Sequence, residues 1–476
     1  MKSLNIRKKL VSLAVATAVS GGAMMAMTAP AHAMNVSQDN LGEVLLFPYY
    51  TVKNGFDTLF TVTNTSDKTA VIKVRWREAL NSREVRDFNV ILSPYDVWNG
   101  VVTSTTDGAV IRTWDKTCTS PVLPAGPNGS KEVAFTNALF SGKYADGGAD
   151  SLDRVKEGYF EVFLMGLSDE STSLSANTLE YNAKHVNGTP RDCSKVDALF
   201  VSQSSVDALN AYFSAPGNVL KGHSTFINVA TGKAIDVEPT AIENFRDDTP
   251  NIFRPGDLSP DLSGGDPFGT ATRFIDGVST DFPYDAITGL GSLTGVTELL
   301  RASSVVNEYA TGSNVAGSWV LTFPTKHHYT DAYTASGSVS NGTVVAGGGF
   351  SEWFFTKNVT TGAVVDGKSC DNVDITSYDR EEGSQSTGTA FSPVVGDSAA
   401  LCYEVNVLNL NNTNVFGTGT NHYSLTTVGD AGWLEVEFTE TNTLAGLPVI
   451  GFSATVRDAG DATVNFGSAT AHSYKH

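Results

Sequence analysis

The clearest pattern in the chain is an alternation of apolar and polar residues at positions 71–76. Ile72, Val74 and Trp76 fall on one side of an extended backbone. The other side carries three cationic residues, Lys73, Arg75 and Arg77. A period of two is typical of a strand with one buried face, because successive side chains point to opposite faces of a sheet. The pattern therefore predicts a half-buried β-strand.

Short segments of the same kind recur along the chain, separated by turn residues. They fall at positions 56–64, 85–92, 101–104, 110–113, 158–164, 319–323, 351–355, 401–408, 433–438 and 449–456, with a further pair of strands within 223–236. Residues 158–164 are apolar on both faces, so we expect that strand to be central in its sheet. Short helices are predicted at 205–213 and 296–303. These elements predict a mainly β fold with two or more β-sandwich-like blocks, Ig-like or jelly-roll-like, a few short helices and long loops.

A change of composition suggests how these blocks are divided. Residues 246–269 hold four prolines, a glycine pair and five aspartates, and no apolar period survives there. Such a stretch is typical of a linker or a long loop. We therefore expect an N-terminal β-sandwich domain at 34–245, a linker or long loop at 246–295, and a C-terminal β-rich domain at 296–476. A long loop that lies over one domain is the alternative.

The first 33 residues have the layout of a secretory signal peptide. A basic start is followed by a mostly apolar stretch, and a small-residue cleavage site ends at Ala33. No later stretch reaches the roughly 18 apolar residues of a transmembrane helix. The expected location is therefore the cell surface or the extracellular space, with the periplasm as the alternative.

Charge narrows the choice of partners. The chain has 32 basic and 51 acidic side chains, and loss of the leader would remove four basic residues and leave a net charge of −23. Such a surface repels nucleic acid and anionic lipid. It favours hard cations, above all Ca²⁺, although solubility in a salty medium is the simpler explanation.

Four cysteines, Cys118, Cys193, Cys370 and Cys402, fit an exported protein with disulfide bonds. Two lie in each half of the chain, so Cys118–Cys193 and Cys370–Cys402 is the economical pairing among the three connectivities that the sequence permits. The sequence contains no CxxC motif, so neither a zinc knuckle nor a thioredoxin-like redox site is indicated.

An acidic, glycine-containing stretch is the best candidate for a metal site. Asp146, Asp150 and Asp153 lie within eight residues, and the adjoining glycines allow the backbone to curl around an ion. We therefore predict these three residues as calcium ligands, with solvated loop charges as the alternative. The spacing does not match an EF-hand loop. A looser cluster is Asp257, Asp261 and Asp266.

Signals for catalysis are weak. Residues 222–226 begin like a nucleophile elbow but lack the closing glycine, and neither HExxH nor a spaced histidine cluster occurs. His327 and His328 are adjacent, and on a strand they would point to opposite faces. Paired carboxylates with aromatic sugar platforms would suit a glycosidase, but most tryptophans lie inside alternating strands, where core packing is the better explanation. No catalytic residue is predicted.

Four sequence segments resemble segments of a group of uncharacterised exported "cell-surface" proteins of Gram-negative bacteria. They are GEVLLFPYYTVKNGFDTLFTVTNTSDKTAVIKVRWREALNSREVRDFNVILSPYDVW, EGYFEVFLMG, WVLTFPTKHHYT and GLPVIGFSA. The resemblance reaches most of the mature chain and implies an exported surface or periplasmic location. It supplies no known catalytic or binding residues.

Together these observations predict an exported, non-enzymatic surface or matrix protein. We expect it to self-associate or adhere, to be stabilised by cations, and to contact copies of itself or other surface components. Strand addition at exposed sheet edges would be the physical route to such assembly. Two alternatives stay open: a binding module for a glycan, a small ligand or a metal, and a secreted hydrolase.

Overall fold

Antiparallel strands make up most of the structure, as the alternation predicts. The computed structural model describes residues 33–168, 178–202, 206–246, 249–286, 290–330, 367–386, 399–438 and 446–476. The leader up to residue 32 and the strand predicted at 351–355 lie outside these ranges. From residue 33 onward, the described chain belongs to one compact unit.

Fifteen of the described strands lie between residues 33 and 246. In chain order they are β1 Asn35–Val36, β2 Val44–Thr51, β3 Asp57–Asn64, β4 Thr69–Glu78, β5 Glu84–Leu92, β6 Val97–Ser104, β7 Ala109–Thr113, β8 Cys118–Ser120, β9 Lys131–Ala134, β10 Glu157–Ser168, β11 His185–Val186, β12 Thr189–Pro190, β13 Leu220–Asn228, β14 Lys233–Val237 and β15 Thr240–Glu243.

The second half contributes the remaining described strands. They are β16 Phe268–Ile275, β17 Val278–Asp285, β18 Arg301–Ala302, β19 Ser304–Ala310, β20 Val315–Thr322, β21 Asp371–Asp379, β22 Ser384–Ser386, β23 Ala399–Leu401, β24 Val405–Leu410, β25 His422–Leu425, β26 Ala431–Phe438, β27 Leu447–Pro448, β28 Ile450–Arg457, β29 Phe466–Ala471 and β30 Ser473–Lys475. The described α-helices are α1 Leu179–Ala183, α2 Cys193–Ser202, α3 Val206–Asn210, α4 Ser292–Leu300 and α5 Lys326–Thr330.

Four large sheets organise these strands. Sheet 1 has the order β1-β15-β2-β10-β4-β5-β8, and sheet 2 has the order β14-β13-β3-β6-β7-β9. Sheet 3 has the order β25-β24-β20-β28-β29, and sheet 4 has the order β22-β21-β26-β19-β30 with β23 beside β21. The strand β10 lies between β2 and β4 and is buried along its whole length, which confirms its predicted central position.

Sheets 1 and 2 face each other across an aromatic core. Trp76 of β4 stacks on Phe88 and Phe160, each with a centroid separation of 5.6 Å. Phe60 of sheet 2 approaches Trp76 at 5.7 Å and Trp98 at 5.1 Å. Large stacked and edge-on rings bury much apolar area, so they are the main stabilising contacts of this first sandwich.

Sheets 3 and 4 form a second sandwich of the same kind. Trp319 and Leu408 of sheet 3 and Leu434 and Val436 of sheet 4 are buried in one core. Leu299 at the end of α4 is part of the same core; the helix predicted at 296–303 is present but spans Ser292–Leu300. The expected mainly β fold with sandwich-like blocks is therefore confirmed.

The two sandwiches share a third core. Tyr49 and Phe226 from the first half pack with Phe416 and Phe452 from the second half. Phe416 lies 5.1 Å from Tyr49 and 5.4 Å from Phe226, measured between ring centroids. Sheet 1 thus packs against sheet 2 on one face and against the second half of the chain on the other.

The segment 249–262 covers a charged face of sheet 1; we call it the strap. The expectation of a half-buried β4 is wrong, because every residue of β4 is buried. The Lys73 ammonium donates hydrogen bonds to the carbonyls of Arg254, Asp257 and Ser259, at 2.7, 2.7 and 2.8 Å. Residues 246–295 also contain the ribbon formed by β16 and β17 and the first four residues of α4.

Both disulfide bonds of the economical pairing are present. Cys118 of β8 is bonded to Cys193 at the start of α2, and Cys370 is bonded to Cys402. The first bond attaches α2 to the β8 edge of sheet 1, and the second closes a loop of the second sandwich.

Candidate functional site: a polar cleft beside Glu157

A polar cleft of about 500 Å³ opens where β10 begins. Its lining includes Lys53, Ser104, Ser151, Arg154 and Glu157. The loop 417–421 of the second half forms another part of the wall. The cleft is therefore built by both halves of the chain and is lined mainly by charged groups, hydroxyls and amides.

Glu157 is the central charged group of this cleft. Its carboxylate accepts a hydrogen bond from Tyr49 Oη at 2.8 Å, is hydrogen-bonded to His422 Nε2 at 2.9 Å, and contacts the Lys53 ammonium. Burial alone would raise the pKa of Glu157, but the His422 hydrogen bond and the Lys53 charge outweigh it and lower the pKa to about 2. Glu157 is thus a fixed anion and is unsuited to act as a general acid near neutral pH.

Local sequence explains how these groups meet. Asn54 has a positive φ of 53° and Gly55 one of 76°, which turns the chain after β2 and directs Lys53 toward β10. Asn54 Nδ2 donates to the Val415 carbonyl at 2.9 Å. A Cβ atom on Gly419 would lie 2.8 Å from Lys53 Nζ and 3.1 Å from a Glu157 oxygen, so the glycine leaves room for this ion pair without a shift of the lysine side chain.

The predicted metal residues lie at the edge of the same cleft but serve different partners. Asp146 is buried and forms an ion pair with Arg154, and it also accepts from Asn81 Nδ2 at 2.8 Å. Asp153 is exposed and pairs with Lys156 at 2.8 Å, while Asp150 is exposed. Within the described residues, no group of three or more His, Cys, Asp or Glu side chains is arranged to hold a metal ion. Calcium binding by Asp146, Asp150 and Asp153 stays a prediction.

Arg154 links the acidic loop to the strand β4. Its guanidinium donates to both carboxylate oxygens of Glu78, at 2.7 and 2.9 Å, as well as to Asp146. Planar double hydrogen bonds of this kind fix both partners in position. The interaction holds residues 146–154 against sheet 1, so the acidic loop forms a rigid wall of the cleft.

A second group of ionisable side chains, two adjacent histidines, is buried in the core. His327 and His328 lie on the short helix α5 rather than on a strand, with ring centroids 4.0 Å apart. Both ring nitrogens of His327 and Nε2 of His328 have no hydrogen-bond partner in the described part of the chain. Burial and the nearby Arg77 lower the pKa of His327 far below its usual range, and burial lowers that of His328 to about 4. Both rings are therefore neutral at pH 7.

The tryptophans that the structure describes pack mostly in cores. Trp76, Trp98 and Trp319 are buried, as the alternating strands predict. Trp433 stacks on Tyr378 at 4.0 Å on the outer face of sheet 4. The lining of the cleft contains no aromatic side chain among the described residues. The stacked pair of Tyr378 and Trp433 and the cleft thus occupy different places on the molecule.

Sequence reasoning did not find the Glu157 cluster. Tyr49, Lys53, Glu157 and His422 are separated by up to 373 positions and belong to no motif. The only local signal is a glutamate at the first position of an otherwise apolar strand. Such a residue needs a partner when it is buried, but the sequence does not name that partner.

Comparison with known proteins found no similar protein. No family model, no curated protein and no solved structure matches the chain. Among the described residues, no helix is long and apolar enough to cross a membrane. The two disulfide bonds fit an oxidising compartment.

Proposed function

We propose that this protein is an exported, non-enzymatic structural component of the cell surface or the extracellular matrix, and that it self-associates. The observation that carries the proposal is an apolar groove of about 290 Å³ beside the ribbon. We call it the ribbon groove; it is lined by Val36, Phe274, Leu299, Leu300, Val449, Ile450 and Tyr474, among others. Val36 and Phe274 are the exposed apolar side chains among these residues, and exposed apolar surface marks protein interaction sites.

The ribbon itself supports the same proposal. Phe268, Phe274 and Val278 are each more than half exposed, with 54, 56 and 63% of their surface accessible. The strand β17 is hydrogen-bonded to β16 alone among the described strands. A two-stranded ribbon is marginally stable by itself, and its open edge can accept another strand. In a chain with a large negative charge, cations would reduce the repulsion between copies.

The test is the size of the purified, oxidised protein in solution. Light scattering across a concentration series, with calcium and with chelator, should show assemblies that grow with concentration and shrink on chelation. Phe274→Ser should weaken association at least tenfold, whereas Val229→Ser, which alters an isolated exposed valine, should leave it unchanged. A wild-type protein that stays a single chain in every condition would refute the proposal.

The cleft favours one alternative, a surface or periplasmic module that binds a polar ligand such as a glycan. Its hydroxyls, amides and paired charges provide many hydrogen-bonding groups for such a ligand. Binding of soluble oligosaccharides, measured by calorimetry and abolished by Ser151→Trp, would establish this function. Equal binding by wild type and variant would place any ligand elsewhere.

A further inference from the structure

The segment just after the predicted cleavage site occupies a slot between two strands from later parts of the chain. On one side, Asn35 and Val36 of β1 pair with Glu243 and Ile242 of β15. On the other side, the Met34 amide donates to the Thr270 carbonyl of β16 at 2.8 Å. The Thr272 amide donates back to the Met34 carbonyl, also at 2.8 Å. We call the space between β15 and β16 the slot.

Met34 is the side chain that fills the slot. It is 1% exposed and belongs to the same core as Ala271, Tyr284 and Val296. A Cβ atom on Gly295 would lie 3.4 Å from Met34 Cε and 2.7 Å from the Tyr284 ring, so the glycine provides room for both. A buried apolar anchor with backbone hydrogen bonds on both sides is how a peptide strand binds between sheet edges.

Without this segment, two strand edges would be exposed at once. The described sheet order places only β1 on the outer side of β15, and only Met34 bridges to β16 on that side. Unpaired strand edges readily accept another extended chain. The slot therefore requires a strand, and its contacts are with residues 34–37 of whichever copy supplies them.

The connection from this segment to β2 is short and polar, and its residues 37–41 are partly or fully exposed, whereas Gly42 and Glu43 are buried. Ser37 is hydrogen-bonded to Asp39 at 2.8 Å, and Asn40 is hydrogen-bonded to Glu238 at 2.9 Å. Residues 37–41 would reach roughly 17–18 Å when extended, at about 3.3–3.6 Å per residue. In strand exchange these residues form the hinge about which the segment leaves its own slot.

On the basis of the proposed self-association, we infer that residues 34–37 of one copy fill the slot of a second copy. The slot contacts are the same within one chain and between two chains. The main cost of the exchange is therefore the translational and rotational freedom that two chains lose when they associate. Exchange in one direction would give open chains of subunits, and reciprocal exchange would give a closed dimer. The ribbon groove lies beside the slot and is lined in part by Asn35, Val36 and Ser37, so after strand exchange these residues of the groove come from the other copy.

Pairs of introduced cysteines test strand exchange directly, because β1 and β15 pair in a fixed register. Asn35 lies opposite Glu243, and the two side chains are hydrogen-bonded at 2.9 Å. Asn35→Cys and Glu243→Cys chains, mixed and assembled together, should form a disulfide between two chains. The double variant, oxidised at high dilution, should link within one chain and then fail to assemble. A matched control is Thr225→Cys with Asp236→Cys, which pair between β13 and β14 inside one sheet and should link only within a chain.

Light scattering and the location of the new disulfide bond together distinguish strand exchange from the proposed self-association. Assemblies by light scattering together with interchain links at positions 35 and 243 support strand exchange. Assemblies whose links at these positions form only within chains overturn strand exchange and leave self-association standing. A wild-type protein of single-chain size without interchain links refutes both. Non-reducing electrophoresis and peptide mapping distinguish the new disulfide from the two native ones.

Discussion

At the scale of single residues, Glu157 makes the strongest contribution that we can assign to one side chain. It is fully buried and joins Tyr49 and Lys53 of the first half to His422 of the second. Removing one partner of a buried ion pair leaves the others without compensation. We expect Glu157→Gln to lower the free energy of unfolding by about 3 kcal/mol, measured by chemical denaturation at pH 7.

A surface ion pair provides the control for that experiment. Arg112 and Glu132 form an ion pair whose side chains are each 27% exposed. Because solvent screens such a pair, Glu132→Gln should cost less than about 1 kcal/mol. Equal losses for the two variants would show that Glu157 is no more than another surface charge.

Buried histidines make the stability depend on pH in a defined direction. Burial lowers the pKa of His472 from 6.5 to about 3, against a weaker effect of the hydrogen bond with the Val320 carbonyl. Below pH 6.5 the unfolded chain binds a proton that the folded chain does not, so this stability is complete above pH 6.5 and is lost as the pH falls toward 3. At pH 5 the loss from this one group is about 2 kcal/mol.

The corresponding variant isolates the effect. In His472→Gln, the difference in unfolding free energy between pH 7 and pH 5 should shrink by about 2 kcal/mol. His223→Gln, which alters a histidine with a 42% exposed side chain, should leave that difference as it is in wild type. An unchanged pH dependence in the His472 variant would mean that this ring is not buried and neutral.

At the scale of elements, the sequence predicted which segments form strands. It did not predict which distant residues pack against the polar side chains of those strands. The period of two in β4 identifies Ile72, Val74 and Trp76 as the core face. It does not show that Lys73 is also buried, because the carbonyls that accept its hydrogen bonds lie more than 180 positions later. The strap has the composition of a linker, and its polar backbone is what makes it a suitable cover for charged side chains. The Glu157 cluster escaped prediction for the same reason, since its partners come from distant elements.

The strap supplies a prediction at this scale. Lys73→Met keeps the length of the side chain and removes the ammonium, so three partly buried carbonyls lose this donor. The loss of each hydrogen bond costs about 1 kcal/mol, and we expect amide hydrogen exchange in residues 250–262 to accelerate at least tenfold. Lys221→Met, at an exposed position of β13, is the control. Unchanged exchange in the Lys73 variant would show that other contacts hold the strap.

At the scale of the whole molecule, the third core decides whether the two sandwiches unfold together. Phe416 is fully buried, and its ring packs against Tyr49, Phe56 and Phe226 of the first half and Phe452 of the second. Because the core is shared, we expect one cooperative thermal transition for the whole chain rather than one for each predicted domain.

Phe416→Ala tests that expectation, because it removes one large ring from the shared core and leaves the centres of both sandwiches intact. It should destabilise the protein by about 3–5 kcal/mol and shift the whole calorimetric transition. Phe466→Ala, at a side chain that is 54% exposed, should shift it little. Two transitions in wild type, of which the Phe416 variant moves only one, would instead support the independent domains that the linker-like composition predicts. Calorimetry with intact disulfide bonds is the appropriate measurement, since reduction would add a second process to the unfolding of the fold.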